Sequence, residues 1–341
     1  MRGKTLAWLL GITLLAVIAA VVVSRGSGPQ ADPLAGTPVM PELAPRIADL
    51  GKVVINHADQ KTTIARNGTA WTIEERGNYP ADLGKLRQAL LGLADLTYFE
   101  PKTAVAASYP RLEVEDPGKD SKSILVTLAD TKGSLLGEAI IGKHRADQLG
   151  GGEGGVYVRK PGNAQSWLAR GTLDLAGNTA DWLDKKLLDL PAAQMKLVVL
   201  TQPDGSKVTL TRDKPADKLR LAEMPKDKKL KYDSILDDAA GVLGGLQLED
   251  VRPAKGFDYP SSGVAKAQFV SFSGLTVDID LADKDGKSWA RFAVSGSSGD
   301  AAKQATELKA QLSPWIYALP SDKVKTLREK LDDLVETPKA S

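Results

Sequence analysis

The 341-residue chain has no cysteine and only two histidines, His57 and His144. The first absence excludes disulfides, thiolate nucleophiles, iron–sulfur clusters, cysteine-ligated zinc and a lipid-bearing cysteine anchor. The second excludes a histidine-rich metal centre. No serine lies in G-x-S-x-G, and no P-loop, H-E-x-x-H or kinase element occurs. A large excess of either charge is also missing, with 45 basic against 43 acidic residues. Residues 1–25 hold three of the bases (Arg2, Lys4, Arg25) and no acid, so the rest carries 42 basic against 43 acidic. A neutral body of this kind has no electrostatic footprint for nucleic acid. Lys226-Asp227-Lys228-Lys229 reads as a solvated loop.

What is present is an ordinary globular composition, 42% hydrophobic and 26% charged, long enough for two domains. It is preceded by Thr5 to Val23, nineteen residues without a charge. As a helix this run would span roughly 30 Å, the thickness of a bilayer's hydrocarbon core. It is longer than the apolar region of a removable leader, so residues 1–25 read as an uncleaved membrane anchor. The anchoring side chains would be Leu6, Trp8, Leu9, Leu10, Ile12, Leu14, Leu15, Val17, Ile18, Val21, Val22 and Val23. Flanking bases favour a cytoplasmic N-terminus, with the bulk of the chain on the periplasmic side of the inner membrane as a single-pass protein. Residues 26–50, with Pro29, Pro33, Pro38, Pro41 and Pro45, read as an extended tether.

Beyond the tether the sequence repeats itself. Lys52-Val53-Val54-Ile55 recurs as Lys196-Leu197-Val198-Val199, and Glu100-Pro101 as Arg252-Pro253. Tyr109-Pro110 recurs as Tyr259-Pro260, Leu128 to Gly133 as Leu281 to Gly286, and Trp167-Leu168 as Trp315-Ile316. Five matches in one order argue for duplication, with repeats over 51–190 and 191–337 and a tail over 338–341. Each copy opens with a hairpin and a third strand. An amphipathic helix follows, with Leu83, Leu86, Leu90, Leu93 and Ala94 on its buried face and Asp82 as cap. A second hairpin, a tryptophan-bearing strand and a closing helix (179–188; 321–335) complete it. The fold class is therefore α+β: a transmembrane helix and two tandem copies of an antiparallel, hairpin-rich domain.

Chemistry-bearing patterns read as structural. Gly150 to Gly155 satisfies G-x-G-x-x-G, but a strand follows where a dinucleotide site needs a helix N-terminus. Asp278, Asp280, Asp283 and Asp285 suggest a calcium loop, yet Leu281 and Phe292 stand where oxygen ligands are required. No catalytic residue, metal or cofactor is expected. Two polar, glycine-rich segments, 143–155 and 295–303, read as equivalent loops and as candidate partner surfaces. The residues named are Lys143, His144, Arg145, Gly151, Gly152, Glu153, Ser297 and Ser298.

Gly36-Thr37-Pro38-Val39-Met40-Pro41, Trp71, Tyr109 to Pro117, Ile140 to Lys143, Val156 to Arg159 and Asp181 to Asp184 together resemble an uncharacterised bacterial family. Its members are membrane-anchored proteins with a domain of unknown function, encoded beside ABC-type transporter subunits and gliding-motility-like auxiliary components. The resemblance implies a non-enzymatic envelope accessory protein whose ectodomain contacts an ABC-type transporter or its cargo. An envelope glycan- or lipid-binding module is the alternative, and a carboxylate-based periplasmic hydrolase ranks below it.

Overall fold

The computed structural model describes residues 32–145 and 154–338. Nine strands form the first sheet: β1 (Leu50–His57), β2 (Gln60–Asn67), β3 (Ala70–Ile73), β4 (Tyr79–Pro80), β5 (Thr97–Pro101), β6 (Ile124–Asp130), β7 (Leu135–Arg145), β8 (Gly155–Arg159) and β9 (Ser166–Arg170). Their spatial order is β4-β3-β2-β1-β6-β7-β8-β9-β5. A short strand β10 (Lys186–Leu188) leads into the second unit, with β11 (Met195–Thr201), β12 (Lys207–Thr211), β13 (Arg220–Leu221), β14 (Lys229–Leu230) and β15 (Leu246–Gln247). It continues with β16 (Asp250–Pro253), β17 (Ala265–Ser271), β18 (Leu275–Lys284), β19 (Lys287–Gly296), β20 (Trp315–Ala318) and β21 (Val335–Glu336). The second sheet runs β13-β12-β11-β17-β18-β19-β20-β16. Setting β4 aside, this is the same permutation strand for strand, with every pair antiparallel. Pro101 opposes Trp167 in the first sheet and Pro253 opposes Trp315 in the second. Those two matched pairs therefore occupy one register.

Period-two alternation builds these sheets. Val277, Ile279 and Leu281 of β18 are buried while Asp278 and Asp280 between them are not. The β18–β19 hairpin turns on Asp285 and Gly286, both at positive φ, the geometry that two-residue turns require. Helix α1 (Leu43–Arg46) is a single turn, whereas α2 (Leu83–Asp95) is long enough to cover a sheet face. The Asp82 side chain accepts from the Lys85 backbone N–H at 3.0 Å and satisfies one otherwise orphaned donor. In the second unit its counterpart is only α3 (Ile235–Ala240), and an extra helix α4 (Gly299–Leu312) is inserted between β19 and β20. One hydrophobic core runs through both units, from Ile55 and Leu93 through Trp182 and Leu187 to Phe269 and Tyr317.

Several expectations are corrected. The architecture is mostly antiparallel sheet where a transmembrane helix was also expected, and no helix among the described residues is long and apolar enough to cross a membrane. The longest, α4, has 14 residues and carries Asp300, Lys303, Glu307 and Lys309, so at about 21 Å it is both too short and too polar. Leu6, Trp8, Leu9, Leu10, Ile12, Leu14, Leu15, Val17, Ile18, Val21, Val22 and Val23 lie outside the described residues.

From Asp32 onward the proline-rich segment is docked rather than extended. Val39, Met40 and Leu43 are buried, and backbone bonds from Gly36 to Tyr98, Tyr98 to Thr37 and Val39 to Leu96 add it to the open edge of β5. This covers an edge that would otherwise present unpaired backbone groups. The closing helix of the first copy is instead a 3-10 turn at Thr179–Trp182 followed by β10. The second keeps two short helices, Ser321–Leu327 and Leu331–Leu334. Finally, Leu128 to Gly133 is the β6–β7 turn, but Leu281 to Gly286 is the β18–β19 turn, one hairpin further on. The register equivalent of Asp130, which opposes Leu50, is Ser271, which opposes Met195. Asp130 caps its turn by accepting from Ser134 N, and Ser271 Oγ does the same for Leu275 N.

The two units meet at a built joint. Asp250, 2% exposed, accepts from Arg76 Nε at 2.6 Å and from Lys287 Nζ at 2.9 Å. Tyr79 stands edge-on to Trp315 at 5.1 Å and to Tyr317 at 6.4 Å. Gly77, at φ +66°, lies so close that a Cβ there would overlap the Pro253 ring.

Candidate functional site

The residues singled out from sequence are placed as follows. His57 Nδ1 lies 3.1 Å from the Ser123 carbonyl, and its ring packs against Gly177 where no Cβ would fit. It is a structural histidine. His144 is exposed on β7 opposite Val156. Asp278 accepts from Gln268 at 2.8 Å, Asp280 pairs with Arg291, and Asp283 takes Ser288 and Arg328 at 2.6 and 2.7 Å. These three carboxylates are thus engaged separately, Asp285 sits in the hairpin turn, and no group of three or more metal-ligating side chains occurs among the described residues.

Lys143, His144 and Arg145 end β7, while Gly151, Gly152 and Glu153 lie outside the described residues. The strand β8 does follow Gly154. Ser297 and Ser298 follow β19 and open α4. In the shared strand order these segments are the β7–β8 connection and the β19–β20 connection, so the two loops are not equivalents.

A different surface emerges beside α2. Burial on this helix falls on Leu86, Ala89, Leu90 and Leu93, and Leu83, expected inside, is 48% exposed. Leu91 is 52% exposed. At 100° per residue the apolar positions of α2 sweep an arc of about 200°, twice the stripe a covering helix needs. The surplus side, Leu83-Arg87-Leu91, forms one wall of a groove of about 530 Å³. Ile47, Leu50, Arg66 and Trp71 line its other parts. Trp71 and Leu83 are shared with a second stretch of about 570 Å³, lined further by Asp82, Asp184, Lys186 and, from the second unit, Gln247. Among the described residues, three of the nine exposed large hydrophobic side chains, Ile47, Leu83 and Leu91, therefore border one groove.

Its electrostatics are uneven. Asp82 is spent on the helix cap, and the α2 stretch holds the guanidiniums of Arg66 and Arg87 without any carboxylate in its lining. Arg66 donates to its own turn at the Gly68 carbonyl, 3.3 Å away. The lining holds no arrangement of nucleophile, base and orienting partner. What it can do chemically is bury apolar surface and pair with negative charge.

Residues 71–260, more than half the chain, match the family described as a domain of unknown function, DUF4340. The chain belongs to that family. The match opens at Trp71 on the groove and closes at Pro260, so the family sequence includes α2, β10, the joint strand β16 and parts of both sheets. No curated protein and no solved structure matches the chain.

Helical spacing alone places Leu83 with the buried face and so gives no sign of the groove. The signal available was the width of the apolar arc on α2, together with Arg87 set between two outward leucines.

Proposed function

We propose that this protein is a non-catalytic accessory component that works by binding another protein through the α2 groove. The partner class we name is a subunit of an ABC-type transporter or its cargo, from the family resemblance in Gly36 to Pro41, Trp71 and Tyr109 to Pro117. The observation that carries the reading is the concentration of exposed Ile47, Leu83 and Leu91 along one concave surface. Soluble proteins keep such apolar patches chiefly where something covers them.

A glycan-binding role fits less well, because stacking a sugar needs an open ring face. Tyr98 and Trp167, beside a smaller pocket near Leu34, are 5% and 4% exposed. A place at the cell envelope belongs to the same proposal, and fractionation of cells expressing the full chain tests it.

The test of function is co-purification of the tagged full chain from mild detergent. Transporter permease or ATPase subunits are expected with the wild type and absent with Leu83→Asp/Leu91→Asp. Equal recovery with both forms, or a lone monomer from the wild type, would refute it.

A further inference from the structure

The groove also constrains the form of what fills it. We infer that its occupant is an amphipathic helix carrying carboxylates beside its apolar stripe. This rests on the binding role proposed above and adds the partner's chemistry.

Backbone supply is the first argument. The lining strand β3 is hydrogen-bonded on both sides, to β2 and to β4, and the other wall is an α-helix whose peptide groups bond internally. An extended peptide laid here would find no free ladder, and its own N–H and C=O groups would be desolvated unpaired. A helix closes its own hydrogen bonds and brings only side chains. Size agrees: Leu83 to Leu91 spans about 12 Å along α2, two helical turns, which matches anchors at i, i+4 and i+7.

Charge is the second argument. Arg66 and Arg87 flank the apolar floor, and neither has an ion-pair partner among the described residues. A helix with glutamates or aspartates next to its apolar stripe would pair with both. A cationic helix, or an uncharged one such as a lipid-facing segment, would leave them facing the partner unpaired.

The test uses the full chain and a labelled synthetic peptide, an 18-residue helix of leucine, alanine and glutamate with leucines at i, i+4, i+7 and i+11. Fluorescence anisotropy should report binding that weakens about tenfold or more with Arg87→Glu and with Leu91→Asp. Both positions are exposed, and unchanged circular dichroism would verify that the variants fold. Binding should also fall as salt is raised. Equal binding by a lysine-for-glutamate peptide or a proline-interrupted one would overturn the inference. So would indifference to Arg87→Glu, or a concentration-dependent dimer of this chain that Leu91→Asp abolishes. If transporter subunits co-purify in a Leu83- and Leu91-dependent way while the glutamate peptide does not bind, the helix chemistry falls and the binding role stands. If neither occurs, both fall.

Discussion

Removing Arg76 probes whether the two units are locked together or merely adjacent. Its guanidinium reaches Asp250 with Nε at 2.6 Å and Nη2 at 3.5 Å, and the two side chains are 15% and 3% exposed. Breaking a buried pair by deleting one partner costs about 3–5 kcal/mol, because a charge is left uncompensated. Lys287 Nζ and the Val251 N–H still serve the carboxylate, at 2.9 Å each. Arg76→Ala should therefore cost less, about 2–3 kcal/mol. Urea unfolding of the wild type, Arg76→Ala, Asp250→Ala and the double variant closes a cycle whose coupling should be about 2 kcal/mol. Coupling below about 0.5 kcal/mol, the limit of ordinary additivity, would refute the joint as an energetic unit. The pair also sets an acid limb. Burial alone would raise the Asp250 carboxyl, but hydrogen bonds from Arg76 and Lys287 outweigh it and hold the group below its ordinary range. A carboxyl depressed in the folded state adds stability that is complete above its unfolded value, about 3.9, and is lost as pH falls below that. The gap between wild type and Asp250→Asn should accordingly narrow below about pH 4.

Two further outcomes are expected. Asp82→Ala removes the α2 cap and should cost about 1 kcal/mol, with Asp82→Asn milder, read by thermal unfolding. Glu329 behaves in the opposite sense to Asp250: burial, then the neighbouring Asp333, raises its carboxyl, and its Oε2 finds no hydrogen-bond partner among the described residues. A raised folded value penalises the native state once pH exceeds the unfolded value of about 4.3, so Glu329→Gln should raise Tm at pH 7 and leave it unchanged at pH 3. A Tm gain of equal size at both pH values would contradict this.

Local chemistry was the readable part of the chain. The Asp285-Gly286 turn, the Asp82 cap and the matched prolines and tryptophans could be found from sequence because each depends on a few adjacent residues. The same locality misled the repeat alignment. Leu128 to Gly133 and Leu281 to Gly286 share turn chemistry but sit one hairpin apart, since any hairpin selects acid and glycine at its bend. The docking of residues 36–39 on β5 depends on a partner some sixty positions away, which proline content does not register. For Leu83 the helix period was correct. Burial on this helix nevertheless stops at Leu86, Ala89, Leu90 and Leu93 and leaves Leu83, in its first turn, exposed.

The order of strands in the first sheet also bears on how the chain is made. Strand β5 is finished at Pro101, yet its ladder partner is β9, whose last residue, Arg170, opposes Thr97. At about 5–20 residues per second, a nascent chain would wait roughly 4–15 s between the two, with Tyr98 and the underside of α2 uncovered. Arg76 waits longer still, until Asp250 emerges. Anything that sequesters greasy nascent segments has its longest opportunity in that interval, before the first sheet can close on its final strand.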